Sequence, residues 1–364
     1  MINLYQPTIT KKDIQSVTSS LEKTYLSGNS LIVQNFEKKL AKVCGTKYAL
    51  ACANGTLALH LALLSSGLNT GDEVIVPSLS YIASANSVKY FGGKPVFVDV
   101  NEDDWQIDTN LIEAKISKKT KAIMPVHLYG GVPKINEIIE IAKHYKLKII
   151  HDCAESLGSL YKDKHSSSYQ DVAIHSFFPN KLITTGEGGL LVTNNFNIYK
   201  QAKKLRSQGL KGSEEYDHDV IGYNYRMPAI CAALGISQVD KIESNLNKKK
   251  LIFDRYRKNL EHTNIKFQKN SLDSESSNWL TVVLLPTRPI RNKLQKYLLT
   301  NKVETRKIFK PLHLQKPYKD LNTKKQFPVS EKLGNLGLCL PSSPDLSNND
   351  VDYISNKIIK FLNN

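Results

Sequence analysis

Short apolar runs alternate with helical patterns through the first two thirds of the chain. Seven of these runs predict buried strands, at residues 48–53, 73–78, 95–100, 121–128, 147–152, 172–177 and 189–194. Two stretches between them, at residues 57–66 and 133–145, have the apolar spacing of amphipathic helices, and Gly67 suits the end of the first. This alternation predicts an α/β fold whose mostly parallel sheet, of about seven strands, lies between helices.

The pattern changes after Met227. A long helical pattern covers residues 228–261, and the remainder combines short strands at 280–285 and 302–307 with proline-bounded loops and a final helix at 348–362. We therefore predict two domains, a large one at residues 1–245 and a smaller α+β domain at residues 246–364.

Composition places the chain among ordinary globular proteins. It has 364 residues, of which 41% are hydrophobic and 23% charged, and this excludes collagen-like, low-complexity and wholly disordered chains. The net charge of +16 would suit a nucleic-acid binder. However, much of the excess lies in scattered lysines such as Lys248, Lys249 and Lys250, a pattern more typical of a solvated helix face. The charge would equally attract an anionic small substrate.

The cysteines and the N-terminus indicate a cytoplasmic location. The five cysteines form no Cys-x-x-Cys pair and no Cys/His spacing of a metal site, so we expect reduced thiols and no bound metal. The first residues lack a basic segment followed by an apolar one, so no signal peptide is evident. No apolar stretch approaches the roughly 18 residues that would span a bilayer.

Polar residues at the ends of two predicted strands are candidates for ligand binding, because ligands of open α/β sheets bind at the carboxyl ends of strands. Asn54, Gly55 and Thr56 follow the first strand and open a helix. They could cradle a phosphate or simply cap that helix. Asp152 ends the fifth strand, where a buried acid needs a cationic partner or several hydrogen bonds. That partner could be a protonated heteroaromatic nitrogen, a salt-bridge cation or a helix end.

The segment at residues 175–189 is the most informative. One lysine, Lys181, stands between Phe178 and Leu182 in the loop after the sixth strand, and a glycine-rich turn follows. Partial desolvation would lower the pKa of this lysine and make its amine nucleophilic toward a carbonyl compound. Ser176, five residues earlier, could bind the same phosphate as Gly55 and Thr56.

Several blocks together resemble one protein family. The pattern Ser-Phe-x-x-x-Lys followed by Thr-Thr-Gly-Glu-Gly-Gly, at residues 176–189, resembles the pyridoxal phosphate (PLP) aminotransferases of the DegT type, which act on nucleotide-linked keto-sugars. Within this family the chain looks most like the GDP-perosamine synthases. The resemblance covers nearly the whole chain and includes residues 54–60, 71–86, 124–130, 152–155, 222–227, 304–306, 313 and 340–341.

The resemblance implies a fold-type-I PLP enzyme and assigns roles to individual residues. Lys181 would bind the cofactor covalently and shuttle protons, Asp152 would pair with the pyridinium nitrogen, and Tyr81 would stack on the ring. The remaining expected cofactor contacts are Gly55, Thr56 and Ser176 at the phosphate, Glu155 near the ring, and Asn224 at the phosphate of the neighbouring subunit's cofactor. Without the resemblance, Tyr81 could be ordinary core and Asn224 could merely cap the next helix.

Substrate contacts are expected from His313, Arg306 and Tyr129. His313 could instead be a surface histidine, and Tyr129 could serve only in packing. His151 departs from the family pattern, in which Glu commonly precedes the Asp. The catalytic set is otherwise complete.

The implied reaction moves the amino group of L-glutamate to a nucleotide-linked 4-keto-6-deoxyhexose, with GDP-4-keto-6-deoxymannose converted to GDP-perosamine. A dTDP- or UDP-linked 4-keto sugar remains an alternative. A PLP-dependent dehydratase is a second one, although relatives with that chemistry have His in place of Lys181. The resemblance also implies a homodimer with shared active sites that serves O-antigen and lipopolysaccharide biosynthesis. A non-catalytic nucleic-acid binder would have no need of Lys181, and no helix-turn-helix pattern is present.

Overall fold

A seven-stranded sheet forms the centre of the computed structural model, which describes residues 1–169, 171–211, 216–321 and 326–363. The strands are β1 (Tyr48–Cys52), β2 (Glu73–Pro77), β3 (Lys94–Val98), β4 (Thr120–Ile123), β5 (Lys148–Asp152), β6 (Leu160–Tyr161), β7 (Lys164–His165), β8 (Val172–Ser176), β9 (Gly189–Thr193), β10 (Lys266–Phe267), β11 (Ser274–Glu275), β12 (Thr281–Leu284), β13 (Arg306–Lys307) and β14 (Gly337–Leu340). The central sheet has the order β1-β9-β8-β5-β4-β2-β3. Only β9 runs antiparallel to its neighbours, so the predicted α/β class and all seven predicted strands are confirmed.

Helices cover both faces of this sheet. They are α1 (Lys11–Glu22), α2 (Leu31–Val43), α3 (Gly55–Ser65), α4 (Ala83–Tyr90), α5 (Ile135–Tyr145), α6 (Phe196–Arg206), α7 (Ala229–Val239), α8 (Ile242–Asn259), α9 (Arg288–Thr300), α10 (Pro328–Leu336) and α11 (Asn348–Leu362). Helices α3, α4 and α6 contribute to the core on one face, whereas α2 and α7 contribute to the core on the other. Parallel strands need helices on both sides of the sheet because both faces of these strands are apolar.

Helix α3 is more deeply buried than its sequence suggests. Eight of its eleven residues are buried, so it is not the amphipathic surface helix expected at 57–66. Its neighbours α4 and α6 enclose it against the sheet. The predicted end is correct, because Gly67 follows the helix with a φ of +85°, a left-handed conformation that favours glycine.

The long helical pattern at 228–261 is two helices rather than one. Helix α7 ends at Val239 and α8 begins at Ile242, with Lys241 between them bound to the buried Asp13 carboxylate at 2.5 Å. The break has a packing reason: α7 contacts α1 and α2, whereas α8 contacts α11. A straight helix could not reach both sets of neighbours.

A second sheet, in the order β10-β12-β14-β13, packs with α8, α9 and α11 in the C-terminal part. Of the strand predicted at 302–307 only β13 forms, because Val303 instead pairs with Ile2. The predicted domain boundary after residue 245 lies inside α8 and remains a prediction. Within the described ranges, no helix is long and apolar enough to cross a membrane.

Candidate active site

The carboxyl ends of parallel strands bring the first candidate residues together. Asn54 caps α3 immediately after β1, and its side chain accepts a hydrogen bond from the Leu57 N–H at 3.0 Å. Ser176 ends β8 directly beside this helix start. A Cβ atom placed on Gly55 would lie 2.9 Å from the Ser176 Cβ, so only glycine allows this close approach.

The start of α3 presents donors for an anion. Among the residues that the structure describes, the backbone N–H groups of Gly55 and Thr56 and the hydroxyls of Thr56 and Ser176 have no hydrogen-bond partner. A helix N-terminus carries partial positive charge, and its free N–H groups bind phosphate well. The group at Gly55, Thr56 and Ser176 therefore fits a phosphate.

Asp152 is a buried carboxylate held in one orientation. The Ser84 hydroxyl donates to its Oδ2 at 2.7 Å, and the Ala154 N–H donates to its Oδ1 at 3.1 Å. Burial raises the pKa of Asp152, while these two hydrogen bonds and the charge of Lys181 oppose the rise. A carboxylate that is costly to bury gains from a bound cation, which fits the protonated nitrogen of a heteroaromatic ring. Sequence analysis had given Ser84 no role.

Lys181 lies between an acid and an aromatic ring. Its Nζ is 3.7 Å from Oε1 of Glu155 and 3.8 Å from the ring centroid of Trp279. Burial lowers the pKa of Lys181, with the negative charges of Glu155 and Asp152 opposing the shift. Burial also raises the pKa of Glu155 to about 7, against the charge of Lys181. Burial thus favours the neutral amine, the form that attacks a carbonyl carbon.

Trp279 is a functional residue that sequence analysis missed. Its indole N–H donates to the carbonyl oxygen of Asn180 at 2.5 Å, so the ring is fixed beside Lys181. The chain contains two tryptophans, and one of them directly precedes an apolar run. That position alone does not indicate contact with a residue about a hundred positions earlier.

Tyr129 is brought close to this group, but through packing. Its ring lies between those of Trp279 and Phe309, at centroid distances of 5.9 and 5.5 Å and nearly parallel to both. Its backbone N–H donates to Glu155 at 2.8 Å, and its hydroxyl accepts a hydrogen bond from the Phe309 N–H. The side chain is 2% exposed. This placement favours the packing alternative over direct contact with a substrate.

His313 and Arg306 are not brought to Lys181. His313 is fully buried, with Nδ1 2.5 Å from the Ser78 hydroxyl and Nε2 3.3 Å from Glu331, so it is not a surface histidine. Both of its nitrogens are engaged within the chain. Arg306 lies on the edge strand β13 with an exposed side chain near Glu304. Neither residue has a hydrogen bond or ion pair to Lys181 within the described ranges, and their roles as substrate contacts remain predictions.

Tyr81 and Asn224 have exposed side chains. Tyr81 follows β2 and is 57% exposed, with its ring 5.7 Å from that of Phe309. Asn224 is exposed and accepts a hydrogen bond from Arg226. Its loop is tied to the end of β1 through the Ala53 N–H, which donates to Tyr225. Both side chains are therefore accessible to a ligand or a second subunit.

The fold also gathers histidines and cysteines that are far apart in sequence. Two buried groups, Cys44/His165/His175 and His127/His151/Cys153, place their ligand atoms within 4.8 Å of one another, which sequence spacing did not predict. The His127 Nε2 and His151 Nδ1 atoms are 2.6 Å apart. Two nitrogens on one tetrahedral zinc ion would be about 3.3 Å apart. The shorter distance is that of a hydrogen bond.

The residues present fit PLP. The donors at the start of α3 and Ser176 suit its phosphate, Asp152 suits its ring nitrogen, and the Lys181 amine suits its aldehyde. The Asn180 Oδ1 atom, buried next to Lys181, has no hydrogen-bond partner among the described residues and could accept from a bound group.

Comparisons with known proteins agree with this geometry. The DegT/DnrJ/EryC1/StrS aminotransferase family model matches residues 7–359. The chain is 44% identical to a GDP-perosamine synthase of Escherichia coli O157:H7, over 99% of this chain and 98% of that protein. It is 38% identical to a GDP-perosamine synthase of Caulobacter vibrioides, over 97% and 96% of the two chains.

The same relationship holds in three dimensions. The solved structure of the Streptococcus pneumoniae protein Spr1654 in its PLP-form, proposed to be a sugar aminotransferase, superimposes with a TM-score of 0.94 at 29% identity. The match covers 98% of this chain and 97% of that one. The chain described here thus belongs to the DegT/DnrJ/EryC1/StrS aminotransferase family and is a PLP-dependent sugar aminotransferase.

Proposed function

We propose that this enzyme transfers the amino group of L-glutamate to C4 of GDP-4-keto-6-deoxymannose and so produces GDP-perosamine. The observation that carries the proposal is the buried Lys181 amine, 3.7 Å from Glu155 and beside the Asp152 strand end. The names of the relatives that align over nearly the full chain support the choice of sugar nucleotide. The net charge of +16 suits a substrate that carries a diphosphate.

The residues around Lys181 have separate tasks in this proposal. When bound, PLP supplies an electron sink for the electron pair left by breaking a C–H bond. The Nζ atom of Lys181 would hold the cofactor at rest. Once the amino donor has displaced it, the free amine would take the proton from the α-carbon of the donor and later return a proton to C4 of the sugar. Asp152 stabilises a protonated ring nitrogen, and Ser84 fixes the orientation of that carboxylate.

The phosphate would be held by the start of α3. The N–H groups of Gly55 and Thr56 and the hydroxyls of Thr56 and Ser176 point to no protein partner among the described residues, which supports this role. Glu155, whose pKa burial raises to about 7, would sit close to the ring and to Lys181. Tyr81, largely exposed, would cover the ring from the open side.

The proposal includes a cytoplasmic homodimer that serves O-antigen and lipopolysaccharide biosynthesis. Asn224 is exposed, and its loop is fixed to the end of β1 beside the phosphate-binding residues. A second copy of the chain could therefore receive this side chain at its own cofactor phosphate. Sedimentation of the purified enzyme tests the assembly. An Asn224→Ala variant that still sediments as a dimer but has a raised Kd for PLP would support the role of this side chain.

The decisive experiment compares three sugar nucleotides. Purified enzyme is incubated with L-glutamate and GDP-, dTDP- or UDP-linked 4-keto-6-deoxyhexose, and the product is identified by mass and NMR. We expect a 4-amino sugar and 2-oxoglutarate in equal amounts, with the GDP-linked substrate preferred. Lys181→Ala should abolish turnover, whereas Lys250→Ala, an exposed lysine, should retain it. Turnover by Lys181→Ala, or loss of water from the sugar without amino transfer, would contradict the proposal.

A further inference from the structure

The lysine run on α8 contains one residue that is not on the surface. Lys248 and Lys250 are exposed and form ion pairs with Asp345 and Glu275. Lys249, between them, is 1% exposed and forms no ion pair among the described residues. The sequence had suggested a solvated face for the whole run, and for Lys249 this is wrong, because α8 turns that position into the protein.

The Lys249 ammonium is held by backbone oxygens and an aromatic ring. Its Nζ donates to the carbonyl oxygens of Trp279 and Ser342, each at 2.6 Å, and lies 4.9 Å from the ring centroid of Tyr5. Burial lowers the pKa of Lys249 to about 7. The Lys249 amine thus joins three segments that are distant in sequence: the N-terminus, the start of β12 and the loop after β14.

Two of these contacts continue to Lys181. The Tyr5 hydroxyl donates to the Lys181 carbonyl oxygen at 2.7 Å. The Trp279 indole N–H donates to the carbonyl oxygen of Asn180, and its ring faces the Lys181 amine at 3.8 Å. The backbone on both sides of the Lys181 peptide nitrogen is therefore held by two aromatic side chains. Lys249 contacts the ring of Tyr5 and the backbone carbonyl oxygen of Trp279.

The Lys249 ammonium has both a desolvation cost and a structural task. Burying an ammonium without a carboxylate is costly, but its two hydrogen bonds satisfy buried carbonyl oxygens that a methionine of similar length would leave unpaired. What methionine could not do is fix the two carbonyls and the Tyr5 ring in one arrangement.

We propose that Lys249 is a positioning residue: by fixing Trp279 and Tyr5 it holds the backbone and the amine of Lys181 in the geometry needed for covalent attachment to the cofactor. The inference rests on the proposed function of Lys181. A nucleophile that is already held in the reactive orientation reacts faster, because the entropy cost of ordering it is not part of the reaction barrier.

The attachment step itself provides the test. The neutral Lys181 amine adds to the aldehyde carbon of PLP, a C=N bond forms, and the aldehyde oxygen leaves as water with the two amine protons. Borohydride then delivers hydride to the carbon of that bond, water gives a proton to the nitrogen, and a stable secondary amine remains. Apoenzyme is mixed with PLP and quenched with borohydride at set times, and the labelled peptide is quantified by mass spectrometry.

We expect Lys249→Met to slow labelling of Lys181 about tenfold, as for the loss of a well-oriented hydrogen bond, with Lys249→Arg partly restoring it. Lys250→Met, one position along α8, is the matched control and should label at the wild-type rate. Equilibrium binding of inorganic phosphate to each apoenzyme should be unchanged, since the start of α3 does not contact Lys249.

A second variant covers the case in which Lys249→Met does not fold, as judged by circular dichroism. Tyr5→Phe removes one hydroxyl and should slow labelling several-fold with little effect on folding. If folded Lys249→Met is labelled at the wild-type rate, the positioning role is overturned. If Lys249→Met does not fold, labelling of Tyr5→Phe at the wild-type rate overturns it. Absence of label on Lys181 in the wild type would instead overturn the proposed function.

Discussion

A single methyl group at the start of α3 should separate phosphate recognition from the rest of cofactor binding. In Gly55→Ala the new Cβ would lie 2.9 Å from the Ser176 Cβ and 3.3 Å from its Oγ. The start of α3 is also packed closely against β9, where Gly189 approaches the Asn54 carbonyl and the Gly55 nitrogen. The clash must be relieved by moving Ser176 or the first turn of α3, and both carry proposed phosphate donors.

The expected magnitude follows from the hydrogen bonds at risk. A hydrogen bond to a charged group contributes about 1.5–3 kcal/mol, so misplacing one should raise the Kd for PLP about 10- to 150-fold. The effect on folding should be smaller. Overpacking costs about 1–3 kcal/mol, and replacing a helical glycine by alanine offsets up to about 1 kcal/mol of that.

The assay compares PLP with pyridoxal, which lacks the phosphate. Kd values for both are measured by equilibrium dialysis on the apoenzyme of the wild type, Gly55→Ala and Ser66→Ala, the last altering the opposite end of α3. We expect Gly55→Ala to weaken PLP binding and leave pyridoxal binding nearly unchanged, with Ser66→Ala affecting neither. An unchanged Kd for PLP, or an equal loss for both ligands, would refute the proposed phosphate site.

Three further predictions concern the ring-nitrogen partner, the core and the buried histidines. Asp152→Asn removes the charge that stabilises a protonated ring nitrogen and should lower kcat about 100-fold or more. Circular dichroism should show that the variant is folded, and a decrease in kcat of less than about threefold would contradict the role. The Phe36 ring is fully buried and packs edge-on against Phe177. Phe36→Ala should therefore lower the free energy of unfolding, measured by urea titration, by about 3–5 kcal/mol, and a loss under about 1 kcal/mol would be inconsistent with this packing. Burial lowers the pKa of six histidines below 6.5, most strongly for four of them, so the folded state binds fewer protons than the unfolded state at these rings. Stability present above that pH is lost as pH falls toward 4. At pH 5.5 unfolding should take up about 0.9 proton for each of the three histidines whose pKa falls to about 3 or 4, a slope near 4 kcal/mol per pH unit for these three, measured in a pH-stat. His175→Asn should reduce the uptake by about one proton, and an unchanged uptake would exclude a neutral buried ring. The four are His127, His151, His165 and His175.

The strand pattern and the strand-end residues were predictable because both are local properties. Apolar runs of the right length identify buried strands, and the carboxyl ends of parallel strands meet at one edge. Asp152 and Ser176 end neighbouring strands, so their proximity to Gly55 follows from the order of the sheet. Lys181 could be singled out because one lysine stood among apolar and glycine residues in a loop at that edge.

Contacts between distant segments were not predictable in this way. Trp279, Tyr5 and Ser84 gained their positions beside Lys181 and Asp152 only through tertiary packing. The same reason explains the break between α7 and α8, where two sets of packing partners impose two helix directions on one continuous pattern.

The sequence by itself determined the α/β class, the strands and the choice of Lys181 as the proposed nucleophile, because periodicity and local chemistry are properties of neighbouring residues. Only the tertiary structure decided which polar residues are buried and what they touch. Lys249 illustrates this, since its sequence neighbours are typical of a surface and its side chain is enclosed. Burial depends on which distant segments pack against a residue, and the local sequence pattern does not determine that.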